Sequence, residues 1–136
     1  MIKSAMKIYL AIKFHDDFSN KKLIEDISNV LVSSGNKVTV MARDYEKWGE
    51  TKFSPDELMK LTFKITEESD LLLVEFSEKG VGLGIEAGYA YAKGIPIIVI
   101  AKTGSDISNT MQGVAKKVIF YNNPEELGSN EVLNKK

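Results

Sequence analysis

The chain has 136 residues, 18 basic and 19 acidic side chains, one histidine and no cysteine, a length that fits a single domain over residues 1–136 able to bury its own core. Lack of cysteine excludes a disulfide framework, a thiolate metal site and a cysteine nucleophile, and the lone histidine argues against a multi-histidine site, so neither metal nor cofactor is expected. The near-zero net charge forms no basic stripe for a nucleic-acid polymer, no apolar run reaches membrane-spanning length, and no signal-peptide core precedes the first strand, so a cytoplasmic protein is expected.

Apolar runs alternate with helical patterns, which predicts βα units and a parallel sheet. The first strand is Lys7 to Ile12. Ser19 then caps a helix whose apolar positions are Leu23, Ile24, Ile27, Val30 and Leu31, and Gly35 stops it. The second strand is Lys37 to Met41, followed by an irregular stretch holding Arg43, Asp44, Tyr45 and Trp48. Ser54-Pro55-Asp56-Glu57 predicts a helix start with a capping box and proline at the first position. That helix runs to about Glu68, with Leu58, Leu61 and Ile65 facing inward.

Leu71 to Phe76 is the third strand, continuously apolar over Leu71 to Val74 as expected for a strand covered on both faces. A glycine turn, Gly80-Val81-Gly82-Leu83-Gly84, opens a helix over roughly Leu83 to Lys93, which Gly94 ends. The fourth strand is Pro96 to Ala101, a short helix surrounds Ile107 to Gln112, and the fifth strand is Val118 to Tyr121. Pro124-Glu125-Glu126-Leu127 begins a last short helix. Residues 1–5 and 128–136 are expected to fray.

Five parallel strands with intervening helices predict a flavodoxin-like (Rossmann-like) α/β three-layer sandwich, strand order 2-1-3-4-5. Ligands of such sheets bind outside the carboxyl ends of the strands, at the switch point between the first and third. Three segments meet there: Lys13 to Asp17, Ser77 to Glu86, and Arg43 to Trp48.

Glycines at alternate positions let backbone approach a ligand, and the following helix aims amides at it. Gly82-Leu83-Gly84-Ile85-Glu86-Ala87 formally satisfies the GxGxxA dinucleotide fingerprint. It follows the third strand rather than the first, however, and no acidic residue closes the fourth strand to hold a ribose. Glu86 is expected in the first helical turn, where the helix dipole favours its ionised form by about 0.3–1 kcal/mol. An ionised carboxylate over a crevice suits a glycosidase-type nucleophile; an acidic residue at a helix start is also a common surface preference. Gly84, Gly88 and Ala92 are expected to pack closely.

Gly82-Leu83-Gly84-Ile85-Glu86-Ala87-Gly88-Tyr89-Ala90, continuing through Gly94-Ile95-Pro96, resembles the signature of nucleoside 2-deoxyribosyltransferases and the related 2'-deoxynucleoside 5'-phosphate N-hydrolases. The resemblance extends from Ile8-Tyr9-Leu10-Ala11 through Asp70 to Tyr121. It implies that Glu86 attacks the anomeric carbon of the sugar and forms a glycosyl-enzyme intermediate. The family carries an aspartate eight residues before the position that Asp70 matches, and here that position is Thr62. Six residues before the glutamate it has a serine or aspartate that touches the ligand, and here it is Gly80. Its glycine-rich start after the first strand is here Ala11-Ile12-Lys13-Phe14. Ser108 matches a serine that in the hydrolases reaches a neighbouring subunit's ligand, which implies a dimer.

Other candidates follow from the residues. Arg43 is a candidate for phosphate, although an ion pair with Asp44 or Glu46 is its plainer role; Lys13 is a candidate to bind substrate, and the resemblance implies that Ser108 helps to hold a phosphate. Tyr45 and Trp48 suit either stacking on a base or covering the sheet. Glu75, His15 and Asp44 are candidates for a second acid. The resulting expectation is an enzyme that cleaves or transfers the N-glycosidic bond of a nucleoside or nucleotide, working as a homo-oligomer. Its alternative is a non-catalytic nucleotide-binding or sensing module of the same fold.

Overall fold

In the computed structural model, which describes residues 6–129, five parallel strands form one sheet in the order β2-β1-β3-β4-β5. They are β1 (Lys7–Ala11), β2 (Lys37–Thr39), β3 (Leu71–Glu75), β4 (Ile97–Lys102) and β5 (Lys117–Tyr121). The expected strand order and α/β class are therefore present. The helices are α1 (Lys21–Ser33), α2 (Met41–Asp44), α3 (Pro55–Glu68), α4 (Val81–Ala92) and α5 (Asn109–Val114), with 3-10 turns at Lys47–Gly49 and Pro124–Ser129. Among the described residues no helix is long and apolar enough to cross a membrane.

Strand alternation sorts the core into two layers. Ile8, Leu10, Leu71, Leu73, Ile98 and Ile100 pack against Ile24, Ile27 and Leu31 of α1. Tyr9, Ala11, Leu72, Val74, Val99 and Ala101 pack on the other face against Ile65 of α3, Leu83, Ala87 and Ala90 of α4, and Met111 of α5. β1 and β3 lie in register from Ile8↔Leu71 to Ala11↔Val74, which leaves Glu75 one residue beyond the end of β1.

Local chemistry sets the helix ends. Ser54 and Glu57 form the expected capping box with Pro55 at the start of α3. Gly35 and Gly94 adopt the left-handed backbone that ends α1 and α4. Asn20, not Ser19, stands at the N-cap of α1. Its side chain ties the preceding loop together instead, accepting from the His15 N–H at 2.9 Å and donating to the Lys13 carbonyl at 2.6 Å.

Three other expectations change. The segment Gly80 to Gly84 is not a turn: α4 begins at Val81, with Gly80 as its N-cap. Gly84, Gly88 and Ala92 are exposed, and neither glycine has a neighbour within 4 Å of a built Cβ, so they do not pack closely. Gly128 and Ser129, expected in a frayed tail, belong to the last 3-10 turn. A Cβ on Gly128 would meet Val30 Cγ1 at 2.9 Å, which is why glycine suits this close approach to α1. The rest of the expected frayed ends lies outside the described residues.

Candidate active site

Over β1, between α3, α4 and the segment after β2, lies a cavity of about 170 Å³ lined by Tyr9, Leu10, Ile12, Met41, Glu46, Leu58, Met59, Thr62, Gly82 and Glu86. β1 supplies Tyr9, α3 supplies Thr62, α4 supplies Gly82 and Glu86, and the segment after β2 supplies Met41 and Glu46. Its volume is below the ~300–1,000 Å³ of pockets that enclose a whole drug-sized ligand, so part of a nucleotide-sized ligand would lie outside it.

Glu86 is only 8% exposed. Because α4 starts at Val81, Glu86 sits in the second helical turn, beyond the reach of the dipole that was expected to favour its charge. Burial dominates and pushes the carboxyl up to about 7, against the lowering effect of a hydrogen bond donated by the Tyr9 hydroxyl. The Tyr9 phenol is itself 1% exposed, and its pKa is raised well above the ordinary value by burial and by the charge of Glu86. Thr62 donates to the Leu58 carbonyl at 2.8 Å and stands in the same wall as Tyr9.

Glu75 faces the other way. Alternation along β3 turns it toward the α1 side, where it accepts hydrogen bonds from Tyr121 Oη and Ser77 Oγ at 2.6 Å and from Ser77 N at 3.0 Å. The sheet stands between Glu75 and Glu86, so they do not make a catalytic pair. Burial and the Glu75 partner raise the Tyr121 phenol pKa far above its ordinary range.

His15 lies at a separate, smaller cavity of about 80 Å³, together with Lys13, Glu75, Ser77, Glu78 and Lys102. Its ring bonds Glu78 Oε1 at 2.5 Å and Ser19 Oγ at 2.8 Å. Asp44 is bound by Arg43 at 2.8 and 3.0 Å and by the Val40 N–H at 2.8 Å. Burial opposes the charge of Asp44, but these bonds outweigh it and hold the carboxyl below the usual range. Arg43 also donates to Ser28 Oγ at 2.6 Å and the Val38 carbonyl at 3.0 Å. With its fork spent on α1 and β2, Arg43 is a structural clamp and has no donor turned to the Glu86 cavity.

Of the other ligand candidates, Gly82 lines the cavity, Gly80 precedes it at the start of α4, and Gly84 is exposed on the outer face of the helix. The stem of Lys13 runs beside Gly80, and its ammonium reaches Glu78 at 3.8 Å. Ser108 caps α5, accepting from Met111 N at 3.3 Å. Trp48 packs on Phe14 with ring centroids 5.4 Å apart and covers the α1 layer. Tyr45 lines a hollow with Lys7, Lys37, Ile65 and Glu68, toward the opposite end of the sheet. Asp70 binds the Lys7 N–H at 2.8 Å at that same opposite end.

Sequence reasoning missed Tyr9 and Glu46. Tyr9 is the one polar tip in the apolar run Ile8-Tyr9-Leu10-Ala11, and alternation places it on the Glu86 face. Among the described residues, no group of three His, Cys, Asp or Glu side chains is arranged to hold a metal ion.

The parallel sheet with the buried Glu86 carboxylate beside it is an α/β domain, and comparison with known proteins assigns its family. No family model matches the chain. A Thermofilum pendens protein, provisionally named 2'-deoxynucleoside 5'-phosphate N-hydrolase 1, is 30% identical over 97 residues, 71% of this chain and 68% of the relative. The structure of a Clostridium botulinum CMP N-glycosidase superposes with a TM-score of 0.65 at 26% identity, covering 88% of this chain and 92% of that one. A 2-deoxyribosyltransferase from Bacillus psychrosaccharolyticus shares the fold, with a TM-score of 0.70 at 20% identity over 93% of this chain and 95% of that one. The chain belongs to the family of nucleoside 2-deoxyribosyltransferases and 2'-deoxynucleoside 5'-phosphate N-hydrolases, and is an enzyme of this N-glycosidic type.

Proposed function

We propose that this enzyme cleaves or transfers the N-glycosidic bond of a nucleotide, with Glu86 as its nucleophile. The observation carrying this reading is the buried Glu86 carboxylate in the cavity wall, tethered by the hydroxyl of Tyr9 from β1. One carboxylate oxygen attacks C1' of the sugar as the C1'–N bond breaks with its electron pair on the base. The resulting ester is then opened by water, or by a second base, returning Glu86. The Tyr9 hydrogen bond fixes the carboxylate's orientation. A carboxyl pKa raised by burial in a cleft is typical of sites built for chemistry.

The names of the Thermofilum and Clostridium proteins support a phosphorylated substrate. Its phosphate would lie outside the small cavity, beside Lys13 and the first amides of α4, where charge and helix dipole both favour an anion. We further propose a homodimer formed through α4. Val81 and Ile85, one turn apart, and Tyr91, which lines a hollow with Gly113 and Val114 of α5, are 81%, 47% and 63% exposed and leave apolar surface on α4. The described residues contribute to one sheet and its two covering layers, which supports reading the chain as one domain.

The test is a trapped intermediate. Rapid acid quench during turnover of a nucleotide, followed by proteolysis and mass spectrometry, should find the peptide containing Glu86 heavier by one sugar-phosphate residue. An adduct on another residue, or none at any quench time, rejects Glu86.

A further inference from the structure

Glu46 is a carboxylate that the proposed displacement leaves unused. It lines the same cavity as Glu86 but comes from a different element, the segment between β2 and α3. The backbone there is built to hold it. The Glu46 N–H donates to the Met41 carbonyl, and its own carbonyl accepts from Gly49 and Thr51, all at 2.9 Å. The next three residues, Lys47, Trp48 and Gly49, all take left-handed backbone at φ 49°, 57° and 98°. For Lys47 and Trp48 this is strained, and such strain persists where surrounding contacts impose it. Those contacts are Phe14 against the Trp48 ring and the Lys21 ammonium 4.9 Å from its centroid. Trp48 therefore anchors the turn on the α1 layer while Glu46 reaches the opposite, α4 side.

Among the described residues, no hydrogen bond or ion pair engages the Glu46 carboxylate, although it is half buried beside Met41, Leu58 and Met59. Thr62, a hydroxyl that is no acid near neutral pH, stands in the same wall. The charged and titratable groups around Glu46 are Tyr9 and Glu86 in the cavity, Lys52 before α3 and Asp16 after β1. Burial raises its carboxyl, Lys52 lowers it and Asp16 raises it, with a net upward shift.

We propose that Glu46 is the general acid that protonates the departing base. The role rests on the reading of Glu86 as nucleophile. As the Glu86 oxygen bonds to C1', the C1'–N bond breaks with its electrons on the base nitrogen, and the Glu46 carboxyl proton passes to the base. Glu46, now a carboxylate, takes a proton from the water whose oxygen bonds to C1' as the ester to Glu86 breaks. The sum is nucleotide plus water giving sugar phosphate plus base.

The experiment compares Glu46→Gln and Glu86→Gln with wild type on an accepted nucleotide with a neutral base. The second substrate is a ring-methylated cation, 7-methylguanosine or 3-methylcytidine 5'-monophosphate, whose base leaves without a proton. Circular dichroism checks folding. Glu46→Gln should slow the neutral base by about 10²–10⁴-fold and the cationic one by less than about tenfold, whereas Glu86→Gln should abolish both. Glu46→Gln should also erase the fall in rate on the alkaline side of the pH profile. Equal slowing of both substrates, no slowing, or an alkaline limb that persists would overturn the role of Glu46. Retained turnover in Glu86→Gln would instead sink the nucleophile assignment, and the Glu46 role with it.

Discussion

The Tyr9 hydroxyl donates a hydrogen bond to the Glu86 carboxylate across 77 residues of sequence, joining the middle of β1 to the second turn of α4 inside the core. This contact stands between two opposed demands. Burial favours the neutral acid, whereas attack on a sugar needs the anion, and the phenol is the only partner holding the anion in place among the causes that set the Glu86 pKa.

The first prediction concerns pH. With the Glu86 carboxyl at about 7, turnover should rise as pH passes upward through that value, since only the ionised form attacks. Stability should run the other way. The folded pKa lies above the ordinary 4.5, so folded protein binds more protons than unfolded protein between those values, and stability falls as pH rises from about 4.5 through about 7. Glu86→Gln should therefore exceed wild type in stability at pH 8 by roughly 3 kcal/mol, and the gap should close near pH 4.5. Denaturant titration at the two pH values reads this; an equal difference at both would refute it.

Tyr9→Phe removes the donor without changing the ring. The activity midpoint should move to higher pH, and the rate near pH 7 should drop by about tenfold or more, one hydrogen bond to a charged group contributing roughly 1.5–3 kcal/mol. An unmoved pH profile would mean that the phenol does not bear on the anion.

Tyr121→Phe provides the contrast. Its hydroxyl serves Glu75 at 2.6 Å on the α1 side of the sheet. The variant should lose about 1.5–3 kcal/mol of stability while keeping its turnover rate at a temperature where it is folded. Collapse of turnover in the folded variant would place Glu75 in the chemistry after all.

The sequence made the sheet readable because parallel strands buried on both faces appear as unbroken apolar runs, as in Leu71 to Val74 and Ile97 to Ala101. The capping box at Ser54 and the left-handed glycines at 35 and 94 mark helix ends by local chemistry alone. Glu86 stood out because the glycine-rich run around it follows the third strand, where such a sheet is expected to take its ligand. Tyr9 stayed hidden because a tyrosine inside an apolar strand looks like core until its partner is known. Glu46 was obscured by the left-handed turn that follows it, where no hydrophobic period predicts a direction. Glu75 and Glu86 looked like partners because both are close to the third strand in sequence, and only side-chain alternation separates them by the sheet.

The proposed interface predicts a dimer by light scattering at tens of micromolar and a monomer for Tyr91→Glu, which puts a charge on the exposed apolar surface of α4. A monomeric wild type would remove that interface.

The central claim, cleavage through Glu86, is tested most directly by base release. Pure wild type and Glu86→Gln are incubated with a panel of nucleoside 5'-monophosphates at pH 8, where Glu86 is ionised, and free base is followed by chromatography. Wild type should release base from at least one nucleotide, and Glu86→Gln, which keeps shape and hydrogen bonding but not the attacking anion, should be slower by several orders of magnitude. Near-native release by Glu86→Gln, or no release by wild type from any nucleotide, would contradict the account.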